Sequence, residues 1–251
     1  MTSLSTHSSL ACVSGFLTTF DILKKQQKVG SGAVILPNYC NSVIAKLRIA
    51  EKHLYGLLSF KEWTFATGSS NSTATSGNTI ASTFPVTSPE TEVTGDLDDF
   101  FINLRSSFEM FGQAINLVYL DPPLNENDVT FFGIVGLMKI RKPSALLTVH
   151  LDSFLNAQWF KDLKDFRECC YHQKNILWEI SMKYSSVQAT VYPQVLEILI
   201  PDNPFPNLPT YTKNRNVKNF CLPLFQSSVS VIDKSFGIID AEVKNANKIP
   251  V

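Results

Sequence analysis

The sequence predicts an all-α helical bundle with one short β element near the C-terminal third. Apolar residues recur at alternating steps of three and four over 39–57 and 97–118, which is the spacing of one buried helix face. The run 195–200 is instead almost continuous Val, Leu and Ile, which fits a strand. Two long amphipathic helices of this kind are typical of helices that pack in a bundle.

Composition sets limits on domain number and function. The chain has 251 residues, of which 44% are hydrophobic, so we expect a single domain over 1–251 with a sizeable core. The formal net charge is +0, which argues against a broad phosphate-binding surface. No pair among the five cysteines has zinc-ligand spacing, so we expect reduced thiols. The sequence shows neither a signal peptide nor an apolar run long enough to span a membrane, so we expect a cytoplasmic protein without membrane contact.

The first two helices are predicted over 10–23 and 38–60. Pro37 precedes the second helix, and Asn38 is the residue that we expect to cap it. The chain then becomes rich in Ser, Thr, Gly and Asn. So few large apolar side chains predict a long loop at about 66–95.

The middle of the chain predicts one regular helix and one short one. Asp96 to Asp99 place acids where the positive end of a helix dipole would favour them, and the apolar stripe continues to about 120. Asp121-Pro122-Pro123 ends this helix. The stretch 128–140 is nearly all apolar and predicts a short helix that is buried on several sides or lies at a subunit contact.

The C-terminal part predicts three more helices and the strand. Helical spacing resumes after Pro143, breaks near Asn156 and continues over 157–172, with an extension toward 182 left open. A strand and proline-rich segment follows at about 193–210. The last helix is predicted over 217–243.

One stretch late in this helical region combines groups that could do chemistry. Arg167 carries a permanently charged fork that binds phosphate oxygens, and His172 can transfer protons near neutral pH. Glu168 and His172 are four residues apart and therefore neighbours on a helix. An arginine that stabilises charge on phosphorus and a histidine that moves a proton suit cleavage of a phosphodiester. The arrangement requires no metal or other cofactor.

The pattern from Arg167 to His172 resembles the motif of the HEPN superfamily. It consists of an arginine, a polar residue, three further residues and a histidine, on a late helix of an all-α bundle. The order of two long helices, the motif, a strand with prolines and a closing helix is also similar. The resemblance implies a metal-independent RNase that is formed by a homodimer, with Arg167 and His172 as the catalytic pair and Glu168 orienting them. It also allows RNA or nucleotide binding, and a toxin with a cognate antitoxin as its partner.

The same residues also fit a structural interpretation, which stays open at this stage. Arg167 can form ion pairs with Glu168, Asp165 or Asp162, each contributing little to stability. His172 can bond to a carbonyl near the end of the helix. The alternative function is then a non-catalytic dimeric interaction or scaffold protein that keeps the bundle without the chemistry.

Overall fold

In a computed structural model of the chain, the structure describes residues 10–26, 34–59, 79–84, 90–172, 176, 178–185, 195–202, 204 and 215–247. These residues form seven α-helices and four β-strands. The helices are α1 (Ala11–Lys25), α2 (Leu36–Ser59), α3 (Glu90–Tyr119), α4 (Phe131–Arg141), α5 (Leu146–Leu155), α6 (Gln158–His172) and α7 (Val217–Asn247). The strands are β1 (Thr79–Phe84), β2 (Glu179–Ser185), β3 (Val195–Ile200) and β4 (Arg215–Asn216). The predicted all-α class is confirmed, since most of these residues are helical.

The β element is larger than predicted. The four strands form one sheet in the order β1-β2-β3-β4, and each neighbouring pair is antiparallel. Strand β3 coincides with the predicted strand. Strand β1 lies inside the segment that was predicted to be a loop at about 66–95. Its Thr, Ile and Phe residues favour extended backbone even though the surrounding composition is polar.

Strand β2 shows that the helix over 157–172 does not extend toward 182. Apolar residues occur at every second position of β2, namely Ile180, Met182 and Tyr184, and this period of two belongs to a strand. In the sheet, Ile180 is paired with Ile198 of β3, and Tyr184 is paired with Ile80 of β1. The extended backbone of β2 is therefore paired on both sides, with β1 far away in the sequence and with β3, the next strand along the chain.

The predicted helices are present, with two corrections at their beginnings. Helix α2 begins at Leu36, so Asn38 is inside it and does not cap it. Pro37 is tolerated in the first turn because a backbone N–H at that position has no hydrogen-bond partner within the helix. Helix α3 begins at Glu90, six residues before Asp96. Glu92, in the first turn, therefore takes the place near the positive helix end that the aspartates were predicted to fill. No helix in the described ranges is long and apolar enough to cross a membrane.

Contacts within the chain divide it into two compact units. Unit 1 comprises Met1–Ala50, Asn103–Leu163 and Leu224–Val251, and unit 2 comprises Glu51–Ile102 and Lys164–Pro223. The prediction of a single domain over 1–251 stays a prediction.

Phenylalanines form the core of unit 1. Phe108 packs edge-on against Phe131 and Phe160, with ring centroids 5.3 and 5.0 Å apart. Phe154 lies 5.4 Å from Phe160, also edge-on. All four are at least 95% buried. Such edge-to-face pairs add to the stabilisation that burial provides, and they join α3, α4, α5 and α6.

Carboxylates from other helices complete two helix N-termini in unit 1. Asp233 of α7 accepts the Cys12 N–H of α1 at 2.9 Å, where Leu10 offers no side-chain cap. Glu109 of α3 accepts the Phe131 N–H of α4 at 2.7 Å, beside the cap from Thr130. Both bonds satisfy N–H groups that have no partner within their own helix.

Unit 2 has its own aromatic core. Phe101 of α3 stacks on Phe166 of α6 with ring centroids 4.6 Å apart, and Phe220 of α7 lies 5.4 Å from Phe166. Arg215 extends over the Phe220 ring at 4.6 Å and is 3.5 Å from Asp202. This core fixes the rotation of α6 about its axis.

Candidate functional site

Helix α6 carries the predicted motif next to its buried stripe, and both Arg167 and Glu168 are half-buried. Phe160, Leu163 and Phe166 are at most 1% exposed, as the sequence pattern predicts for an inward face. Tyr171, near the end of the same helix, is 62% exposed. The motif therefore occupies the last turns of α6, where one face is held in the core and another faces solvent.

The structure brings Arg167 together with Glu168 and Tyr171. Arg167 Nη1 donates to Glu168 Oε1 at 2.8 Å, and the Arg167 Cζ lies 4.4 Å from the centre of the Tyr171 ring. Arg167 and Tyr171 are four residues apart, so their side chains are neighbours on the helix surface. Sequence reasoning missed Tyr171, although this spacing was the signal that could have identified it.

Arg167 and Glu168 form a partly exposed ion pair. The two side chains are 26% and 35% exposed, so the attraction between them is screened by water and contributes little to stability. The contact instead fixes where the guanidinium lies. Glu168 also offsets part of the positive charge that a phosphate would meet at Arg167, and its orienting role in catalysis stays a prediction.

His172 is the last residue of α6, but its side chain lies outside the part of the chain that the structure describes. Whether its imidazole shares a pocket with Arg167 therefore stays a prediction. The assignment of Arg167, Glu168 and His172 as catalytic residues likewise stays a prediction.

Two adjacent thiols lie beneath the motif. Cys169 donates a hydrogen bond to the Pro204 carbonyl at 2.9 Å, and Cys170 lies near the carboxylate of Asp98. Burial raises the pKa of both thiols, and the negative charge of Asp98 raises it further. They are therefore protonated at neutral pH and poor nucleophiles, because a thiolate is the reactive form. No disulfide joins the five cysteines, as expected for reduced thiols.

Unit 2 holds a second polar cluster that the sequence did not reveal. His53 of α2 contacts two carboxylates of α3. Its Nδ1 is 2.7 Å from Asp96 Oδ1, and its Nε2 is 3.6 Å from Asp99 Oδ2. A Cβ on Gly56 would lie 2.3 Å from Asp96 Oδ2, so the missing side chain makes room for that carboxylate. We interpret the cluster as a polar contact that fixes α2 against α3.

The described residues contain no group of three or more His, Cys, Asp or Glu side chains that could hold a metal ion. No protein-family model, no curated protein and no solved structure matches the chain. The geometry of α6 and the chemistry of its side chains are therefore what bears on function.

Proposed function

We propose that the chain is a HEPN-like, metal-independent endoribonuclease that acts on single-stranded RNA as a homodimer. The observation that carries the proposal is the guanidinium of Arg167 lying on the Tyr171 ring at the exposed end of α6. A stacked guanidinium keeps its N–H groups directed outward in its own plane, where phosphate oxygens can accept them. The bond to Glu168 uses one of the five N–H donors.

RNA supplies its own nucleophile for this reaction. The 2′-oxygen forms a bond to the adjacent phosphorus, and the bond from phosphorus to the 5′-oxygen breaks. The 2′-hydroxyl loses one proton and the leaving 5′-oxygen gains one, so the protons balance. A neutral imidazole accepts the first proton and an imidazolium donates the second. We assign proton transfer to His172 and stabilisation of the developing phosphoryl charge to Arg167.

A homodimer would supply two copies of the motif, so that one histidine could act as base and the other as acid. Unit 1 carries apolar side chains that support self-association. Ile140, Leu146 and Val149 are 78%, 66% and 59% exposed. Contact with a second copy of the chain would remove this apolar surface from water, which favours association. Light scattering on the purified protein gives the mass directly, and a monomer would contradict this part of the proposal.

The test is cleavage of single-stranded RNA in the presence of EDTA. We expect His172→Ala to abolish cleavage while the melting temperature holds. We expect Arg167→Lys to weaken it, because lysine keeps the charge but loses the planar fork. His150→Gln and Arg141→Lys change the same side-chain types in unit 1 and serve as matched controls. If the wild type leaves RNA intact, or if all four variants cleave equally, the nuclease proposal is wrong.

The pairing of Arg167 with Glu168 favours a second candidate, a non-catalytic dimeric interaction protein. In that case, Glu168 holds the arginine as a surface ion pair and no phosphate replaces it. Glu168→Gln separates the two candidates. For a nuclease, removal of the competing charge tightens RNA binding to Arg167. For an interaction protein, RNA binding is absent in both the wild type and this variant.

A further inference from the structure

A groove of about 380 Å³ opens to solvent along α7 in unit 1. It is lined by residues of α7 together with Leu146 of α5 and Cys12 of α1. Leu146 is 66% exposed, and Ala241 and Asn245 of α7 are exposed as well. The groove therefore presents apolar and small side chains to water, and covering it with another apolar surface is favourable.

The α7 residues of the groove form two neighbouring rows, and each row advances four residues at a time. The rows consist of Lys234, Ile238 and Glu242, and of Gly237, Ala241 and Asn245. Rows with this step interlock in the commonest class of helix packing, in which a ridge of one helix enters the furrow of the other. The first row carries the longer side chains and is the ridge, and the second is the furrow. A helix face with a ridge beside a furrow of the same inclination is complementary to a copy of itself.

The charges at the two ends of the ridge favour one orientation of that copy. Lys234 is exposed and forms no ion pair with the residues that the structure describes. Glu242 lies about 12 Å further along the helix axis, where it accepts a hydrogen bond from the Tyr119 hydroxyl. In a parallel pair of α7 helices, two-fold symmetry would place like charges opposite each other. In an antiparallel pair that crosses at Ile238, Lys234 of each copy faces Glu242 of the other.

We infer that a second copy of this chain occupies the groove, with α7 packed antiparallel on α7 and two reciprocal ion pairs between Lys234 and Glu242. This inference rests on the homodimer of the proposed function and names its interface. At a crossing angle of about 50°, the two helix axes diverge by about 5 Å at the level of the ion pairs, which the long side chains can span. Ile238 lies at the centre of the contact, and the partner covers Leu146.

Reversal of the two charges tests the interface without an RNase assay. Lys234→Glu gives each copy two acidic ridge ends, and Glu242→Lys gives each copy two basic ones. We expect either variant alone to raise the dimer Kd at least about 10-fold, because like charges then face each other. An equimolar mixture of the two variants should form a heterodimer with nearly the wild-type Kd, since both pairs are again opposite in charge. Light scattering over a range of concentrations measures each Kd.

The mixture also separates a lost interface from a lost fold. Glu242→Lys removes the acceptor of the Tyr119 hydroxyl, so the melting temperature of this variant is measured too. A chain that fails to fold cannot recover association when it is mixed with the other variant. Lys161→Glu and Asp21→Lys reverse exposed charges of unit 1 that do not line the groove, and these matched controls should leave the Kd unchanged.

The outcomes distinguish this inference from the nuclease proposal. A wild-type dimer whose Kd neither reversal changes, or a mixture that associates no better than the single variants, overturns the inference and leaves the nuclease proposal standing. Heterodimer formation by a protein that leaves RNA intact supports the interface and overturns only the nuclease. A monomeric wild type overturns the inference together with the homodimer. If that monomer binds the apolar dye anilinonaphthalene sulfonate and Ala241→Phe abolishes binding, the occupant of the groove is a small apolar ligand.

Discussion

A close approach of two helices in unit 1 allows a quantitative test of packing. Gly112 of α3 lies against the first residue of α4. A Cβ added to Gly112 would be 3.1 Å from the Phe131 Cα, 3.4 Å from its N and 3.6 Å from its Cβ. These are mostly backbone atoms, which cannot rotate away as the end of a side chain can. Gly112→Ala therefore forces α4 to move by a few tenths of an ångström.

The shift would act on an ordered site. The Phe131 N–H is bonded to Glu109 at 2.7 Å, and the Phe131 ring packs against Phe108 and Phe160. Replacing glycine by alanine within a helix by itself raises the free energy of unfolding by about 0.5–1 kcal/mol. Overpacking of a well-packed site costs about 1–3 kcal/mol. The overpacking cost is the larger, so we expect Gly112→Ala to lower the free energy of unfolding by roughly 0.5–2 kcal/mol.

Gly136 provides the matched control. It lies inside α4, is exposed, and an added Cβ would meet nothing within 4 Å. Gly136→Ala should therefore raise the free energy of unfolding by about 0.5–1 kcal/mol. Urea unfolding followed by circular dichroism measures both variants. If Gly112→Ala stabilises the protein as much as Gly136→Ala does, α3 and α4 do not pack as closely at Gly112 as the structure shows.

Two further predictions concern charged groups of unit 1. Glu109 bonds to the Phe131 N–H and lies 2.7 Å from Arg105 Nη2, so Glu109→Gln should lower the free energy of unfolding in urea by about 1–3 kcal/mol. A change under about 0.5 kcal/mol, the range of ordinary surface substitutions, would contradict this. Burial lowers the pKa of His150 below its usual 6.5, so the unfolded chain takes up a proton first and stability falls as pH drops below about 6.5 toward the folded pKa. His150→Gln should flatten the dependence of the melting temperature on pH in this window, and an unchanged slope would refute the assignment.

Helical stripes were predictable because each depends only on residues a few positions apart. The apolar residues of the stripe predicted for α2 are all buried, namely Tyr39, Val43, Leu47, Ala50, Leu54 and Leu57. Most of the stripe predicted for α3 is buried as well, from Leu97 to Ile115. Phe132 and Ile140 of α4 are exposed, so the apolar run 128–140 is not buried on every side, and its alternative interpretation as a subunit contact stays a prediction. Periodicity identifies a buried face only when polar residues mark the opposite one.

The sheet was only partly predictable because its pairing joins segments about a hundred residues apart. Thr79 of β1 is paired with Ser185 of β2, and no local pattern contains that information. Strand β3 was recognisable because all of its residues except Glu197 are Val, Leu or Ile. Strand β1, in contrast, lies in a Ser/Thr-rich segment, where composition predicted a loop. The two hydrogen-bonded neighbours of β2 explain why 179–185 is a strand and not a continuation of α6.

The candidate site shows the same division between local and long-range information. The spacing of Arg167, Glu168 and His172 could be interpreted from the sequence, and so could the exposed end of the helix that carries them. The place of Asp98 beside Cys170 could not, because Asp98 lies about 70 residues earlier and approaches Cys170 only through the packing of α3 against α6 within unit 2, where Phe101 stacks on Phe166.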